Sequence, residues 1–173
     1  MTGLAGAYDR PVIEDWNTFY AAQATASAAL AGLVFVALSI NLRQILAHPE
    51  LLPGRAGEAV IMMVQPVFVA LVILIPNQSM RTLGVEMLLL GGIAFGIVNL
   101  ILWRAFEPSR ERETREFVLR VSMAELALLP TIIGGALLVN GSATGLDWQA
   151  FGVLMCLAVG ITTAWVLLVE ILR

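Results

Sequence analysis

Trp16 to Leu42, WNTFYAAQATASAALAGLVFVALSINL, runs for 27 residues without a charged side chain. A helix of about 20 predominantly apolar residues crosses a bilayer, so this stretch is long enough to cross with some tilt. Its first half is small-sided, with Ala21, Ala22, Ala24, Thr25, Ala26, Ser27, Ala28, Ala29, Ala31 and Gly32. Lipid gives two helices no hydrophobic reason to touch, so their association rests on close backbone approach, which small residues allow. The stretch therefore reads as the packing spine of a membrane bundle.

The rest of the chain agrees. It is 59% hydrophobic and 13% charged, whereas an ordinary soluble domain is about 45–50% apolar and about 25% charged. The excess lies in long runs, which points to one compact integral membrane domain, not to an oily soluble core. Residues 1–15 read as an exposed tail. The acids Asp9, Glu14 and Asp15 against Arg10 argue against a cleaved leader, which opens on a basic region. Residues 16–173 then form a single all-α transmembrane domain of five spans, at about 16–42, 59–76, 83–105, 117–140 and 148–172. Trp16, Phe19 and Tyr20 mark the entry of the first span, where amphipathic rings favour the interface.

The connections have their own character. Gln44–Glu58, broken by Pro49, Pro53, Gly54 and Gly57 but greasy elsewhere, suits a segment on the membrane surface or an ordinary loop. Glu107–Arg120 is the one highly charged stretch. Glu111/Arg115 and Glu116/Arg120 have helical i,i+4 spacing, so a salt-bridged helix begins in water near Ser109 and runs into the fourth span. The alternative is a docking surface.

Five spans place the two ends of the chain on opposite sides. With the N-terminus outside, Arg43, Arg55, Arg104, Arg110, Arg112, Arg115, Arg120 and Arg173 face the cytoplasm, against Arg10 and Arg81 outside. That asymmetry follows the positive-inside rule. The proline-bearing second segment is the one that would upset the count by being re-entrant.

Several chemistries are excluded. One cysteine, Cys156, and one histidine, His48, allow no intramolecular disulfide and no usual multi-ligand metal site. There is no phosphate-cradling glycine loop with its lysine, no HExxH helix and no GxSxG elbow. No enzyme activity, cofactor or nucleic-acid partner is expected.

What remains is polar chemistry inside the spans. Glu125 lies one to two turns within the fourth span. A carboxylate there faces the bundle interior or a wet cavity, finds a partner, or is protonated. It suits a proton or cation site, or an interfacial acid reaching its own loop arginines. Glu86, near the outer end of the third span, suits a cation vestibule or a snorkelling carboxylate. Gln65, Asn99, Thr131, Thr162 and Thr163 serve equally as interhelical hydrogen-bonding groups or as the lining of a solute path. Pro66 and Pro130, both central, lack an N–H and predict kinks, which serve either as packed bends or as gating points. Thr18, Thr25 and Ser39 form a weakly polar line on the first span. Gly32, Gly92, Gly96, Gly152 and Gly160 are the candidate helix-contact positions, Gly92-x-x-x-Gly96 having the familiar spacing.

The stretch SAALAGLVFVALSINLRQIL, Ser27 to Leu46, resembles the opening span of small actinobacterial-type membrane proteins of unknown function, some of them labelled as modulators of a membrane-anchored protease. The resemblance implies a bacterial cytoplasmic membrane and assigns no residue a role.

The leading expectation is a homo-oligomeric inner-membrane protein, channel-like or transporting ions or small solutes, with Glu125, Glu86, Gln65 and Asn99 on the pathway. The second is a non-conducting accessory or regulatory subunit that docks on another membrane protein. Its partners are the lipid bilayer and further copies of itself.

Overall fold

The computed structural model describes residues 2–47, 52–104 and 111–171, with side chains described for 15–47, 52–104, 115 and 117–169. Every element among them is a helix: α1 (Thr2–Ile40), α2 (Leu42–Ala47), α3 (Leu52–Ile73), α4 (Met80–Arg104), α5 (Glu111–Val139) and α6 (Thr144–Ile171). Five are long and apolar enough to cross a membrane, over Asp15–Ile40, Leu52–Ile73, Met80–Arg104, Phe117–Val139 and Thr144–Val169. This is an all-α, multi-pass membrane protein.

The helix ends differ from the sequence expectation in instructive ways. The supposed tail is already helical from Thr2. The second span starts at Leu52, seven residues before the expected Ala59. Pro53 sits in its first turn, where the missing N–H would be an orphan anyway and the fixed φ suits a helix start. Gly54 and Gly57, read as breakers, lie on α3 against Ile101 of α4, where an added Cβ would sit at 3.4 and 3.5 Å. α3 ends at a turn in which Asn77 takes φ 62°, the left-handed region that Asn tolerates better than most residues.

Four helices close into a ring. α4 packs on α5, α5 on α6, α6 on α3, and α3 on α4, so α3 and α5 stand on opposite sides of the ring. α1 lies outside the ring, mainly against α3. The first span is therefore not the spine of the bundle. Only 11% of its most apolar window is buried. Tyr20, Gln23 and Ser27 face inward, while Ala21, Ala22, Thr25, Ala26, Ala28, Ala29 and Gly32 are exposed.

Glycine sets how closely the ring closes. Adjacent glycines of α5 serve its two neighbours. A Cβ on Gly134 would lie 2.7 Å from the Gly145 carbonyl oxygen of α6, and one on Gly84 of α4 would lie 2.7 Å from the Gly135 carbonyl oxygen. Gly152 lies against Pro130 and Thr131, and Gly160 against Met62 and Met63. An added Cβ at Gly32, Gly92 or Gly96 meets nothing within 4 Å. Among the described residues these three expected contact glycines bring no neighbouring helix into close approach.

Up-and-down connectivity gathers Arg43, Arg55, Arg104, Arg115 and Arg120 at one end of the bundle, called here the arginine-rich end, with Arg81 at the far end. Between them the ring is filled by two apolar clusters. The far half holds Val69, Leu83, Met87, Leu138, Leu146 and Val153, and the near half holds Met62, Val98, Ala124, Leu128, Cys156 and Val159.

Candidate functional site

Helical spacing puts Glu58, Met62 and Gln65 on one face of α3, and Arg120, Ala124, Ala127 and Thr131 on one face of α5. All are buried except Arg120, which is half-buried, and the two faces meet across the ring. The result is a polar seam along its interior.

The seam has two polar levels. Near the arginine-rich end, Arg120 donates to the Glu58 carboxylate at 2.6 Å, with Glu58 only 2% exposed. The sequence reading left Glu58 at the end of a loop and set Arg120 beside Glu116. The earlier start of α3 and the turn of α5 bring Arg120 to Glu58. The side chains of Glu111 and Glu116 lie outside those described.

Deeper, the groups beside the two prolines join. Gln65 donates from Nε2 to the Thr131 hydroxyl at 3.2 Å. Gln149 of α6 donates to the Thr131 carbonyl at 2.9 Å. The Cys156 thiol points at the Ala127 carbonyl, 3.3 Å away, and at Gln65 Oε1, 3.5 Å away. On the other side of α3, Gln23 of α1 donates to the Pro66 carbonyl at 3.0 Å and to Ser27 at 2.8 Å. Tyr20, one turn away on α1, donates to the Leu146 carbonyl at 2.9 Å and ties α1 to the start of α6.

This layer holds two orphans. The amide oxygens of Gln23 and Gln149 are buried and have no donor among the described residues. Gln149 is wholly buried and Gln23 is 6% exposed. An amide oxygen in that position carries the cost of a buried acceptor without a partner.

The four pathway candidates do not share one site. Gln65 is in the seam. Glu86 lies half-buried toward the far end and accepts from Gln78 of the α3–α4 turn at 2.7 Å. Asn99 bonds its own helix at the Phe95 carbonyl, 3.0 Å, and lines an open groove of about 530 Å³ between α4 and α5 with Gly96, Trp103, Phe117 and Val121. Glu125 is half-buried and forms no hydrogen bond or ion pair with the described residues. It lies one turn beyond Val121. The register set by Gly84 beside Val139 and Gly91 beside Ile132 puts it level with Val98, about half a turn from Gly96. So Glu125 belongs to the lateral α4–α5 face, away from the ring interior. Thr25, Ser39 and Thr162 are exposed and bond carbonyls of their own helices four residues back, at 3.0, 2.8 and 2.8 Å.

Pro66 and Pro130 both lie inside continuous helices at the level of the deep layer. Gln23, Gln149, Glu58 and Arg120 are the site members that sequence reading missed. Gln23 carried a signal, since Tyr20, Gln23 and Ser27 recur at helical spacing within an alanine-rich span. Gln149 was lost because the fifth span was begun at Trp148, four residues after the true start at Thr144.

Among the described residues no group of three or more His, Cys, Asp or Glu side chains is placed to hold a metal. Comparison with protein-family models, with curated proteins and with solved structures returned no match.

Proposed function

We propose that the protein is a channel-like or transport protein for small neutral polar solutes, and that its route is the seam inside the α3–α6 ring. One observation carries this reading: the wholly buried amide oxygen of Gln149, beside Thr131 in the deep layer, has no donor among the described residues. It suits a solute that donates hydrogen bonds. The deep layer is built from amides, hydroxyls and a thiol and carries no net charge, which disfavours bare ions there. The form described is closed, since Met62, Leu128 and Leu83 fill the ring on either side of the layer.

The arginine distribution supports an orientation with the N-terminus outside and the arginine-rich end in the cytoplasm of a bacterial inner membrane. The α4–α5 face supports self-association. Gly92 and Gly96 are open there, and Glu125, at membrane depth, lacks a partner among the described residues. The accessory-subunit reading draws on the same face, with another protein in place of the second copy.

The test is solute entry into proteoliposomes holding the purified protein, read by light scattering with glycerol, urea and a potassium salt. Faster entry of the neutral donors, with potassium unchanged, supports the reading. Entry no faster than in protein-free liposomes overturns it. Native mass measurement of the same sample gives the subunit number, and a monomer would remove the self-association part alone.

A further inference from the structure

We propose that the Glu58–Arg120 ion pair is the latch of a gate at the arginine-rich end, and that α3 and α5 open there by hinging at Pro66 and Pro130. The proposal rests on the seam being the solute route, and names what closes it.

The two halves of the ring are held differently. The far half is locked backbone to backbone. Gly84 meets Gly135, and Gly134 meets Gly145, at separations that leave no room for a Cβ. The middle is pinned by Gln65 on Thr131, by Gln149 on the Thr131 carbonyl and by Gln23 on the Pro66 carbonyl. Among the described residues the near half has no backbone-to-backbone lock; there Gly160 of α6 meets only the side chains of Met62 and Met63. A Cβ added at Gly92 or Gly96 of α4 would meet nothing within 4 Å, and an open groove of about 530 Å³ runs between α4 and α5, lined by Gly96, Asn99, Phe117 and Val121. That groove gives the near half of α5 room to move.

What ties the near halves of these opposite helices is Arg120 on Glu58 at 2.6 Å. Both latch residues lie on the same side of their prolines. Proline has no N–H, so Pro66 and Pro130 leave the Met62 and Leu126 carbonyls without their intrahelical donor, and the helices bend most easily there. Parting the pair frees two half-helices below a fixed hinge layer. It also leaves two separated charges, which water entering from the arginine-rich end would solvate. Opening then exposes Gln65, Thr131 and Cys156 to that side.

The chain carries its own reporter. Cys156 is its one cysteine and is 1% exposed, between Gln65 and Ala127 at the hinge layer. The experiment is the rate at which a small charged methanethiosulfonate labels Cys156 in the full-length protein in nanodiscs. Wild type and Arg120→Lys should label slowly. Glu58→Gln and Arg120→Gln should label about tenfold faster or more, with gel-filtration profile and melting temperature retained. The reversed pair, Glu58→Arg with Arg120→Glu, should return toward the slow rate.

Unchanged labelling in both folded single variants overturns the gate. If a single variant does not fold, the reversed pair decides. Slow labelling in a folded reversed pair supports the latch, and labelling as fast as in denatured protein overturns it. The readout needs no solute. Fast labelling in Glu58→Gln without solute entry in any variant would keep the gate and remove the transport reading.

Discussion

Gln65 and Thr131, each bonded in sequence to a mid-helix proline, meet at 3.2 Å across the interior of the ring. The contact joins the two proline positions of opposite helices. It also holds Thr131 where its carbonyl accepts from Gln149. One threonine thus links three helices. Interhelical hydrogen bonds in membranes are individually modest, about 0.6–2 kcal/mol, so the link matters as a network more than as a single bond.

That network should show as non-additivity. Gln65→Leu and Thr131→Val should each lower stability. The double variant should lose less than the sum, with a coupling of about 0.5–2 kcal/mol, as expected for residues in contact. Unfolding in mixed micelles of the four proteins measures it. Strict additivity would mean that the two side chains do not share a bond.

The glycine contacts set a second expectation. A Cβ at Gly84 would lie 2.5 Å from the Val139 nitrogen and 2.7 Å from the Gly135 carbonyl, which are backbone atoms that cannot step aside. Gly84→Ala should destabilise the fold by about 1–3 kcal/mol, the usual range for overpacking. Gly92→Ala and Gly96→Ala, at open positions, should leave the isolated subunit's melting temperature unchanged. Equal losses at all three sites would contradict the placement of α4.

Tyr20 supplies a third. Its hydroxyl caps the buried Leu146 carbonyl at 2.9 Å and its ring stacks edge-on with Phe19, at 5.0 Å between centroids. Tyr20→Phe keeps the ring and removes the donor, while the Leu146 carbonyl keeps its own helix partner, so the cost should be about 0.5–1.5 kcal/mol, the net worth of one hydrogen bond. Proteolysis of the α1 segment should quicken more than global unfolding, because α1 hangs outside the ring.

Glu125 supplies a fourth. It lies on the lateral face and bonds nothing among the described residues. Glu125→Gln should therefore leave the unfolding free energy of the isolated subunit within about 0.5 kcal/mol of wild type, as surface changes do, while altering the subunit number by native mass measurement. A large loss of monomer stability would place the carboxylate inside the bundle.

The existence and order of the five spans were legible because each is a long apolar run and lipid admits few alternatives. Which face of each span looks inward was not. Lipid-facing and core-facing residues are equally apolar here, so periodicity carries little information, and the alanine-rich face of α1 pointed to the core when it looks outward. The glycine pattern misled for a related reason. Gly92-x-x-x-Gly96 has the familiar spacing but faces outward, whereas the neighbours Gly134 and Gly135, without that spacing, touch two different helices. Proline and glycine at 53–57 read as breakers, although a first helical turn tolerates both. That error hid Glu58, and with it the partner of Arg120.

The interior route is tested most directly by solute permeability compared between seam and lateral variants in proteoliposomes of equal protein content. Glycerol entry should be faster with wild type than without protein, should fall about tenfold or more in Thr131→Val and Gln65→Leu if each removes a bond worth ~1.4 kcal/mol to the permeating solute, and should persist in Glu125→Gln. Entry lost in Glu125→Gln but unaffected in both seam variants would contradict the interior route and move it to the face between subunits.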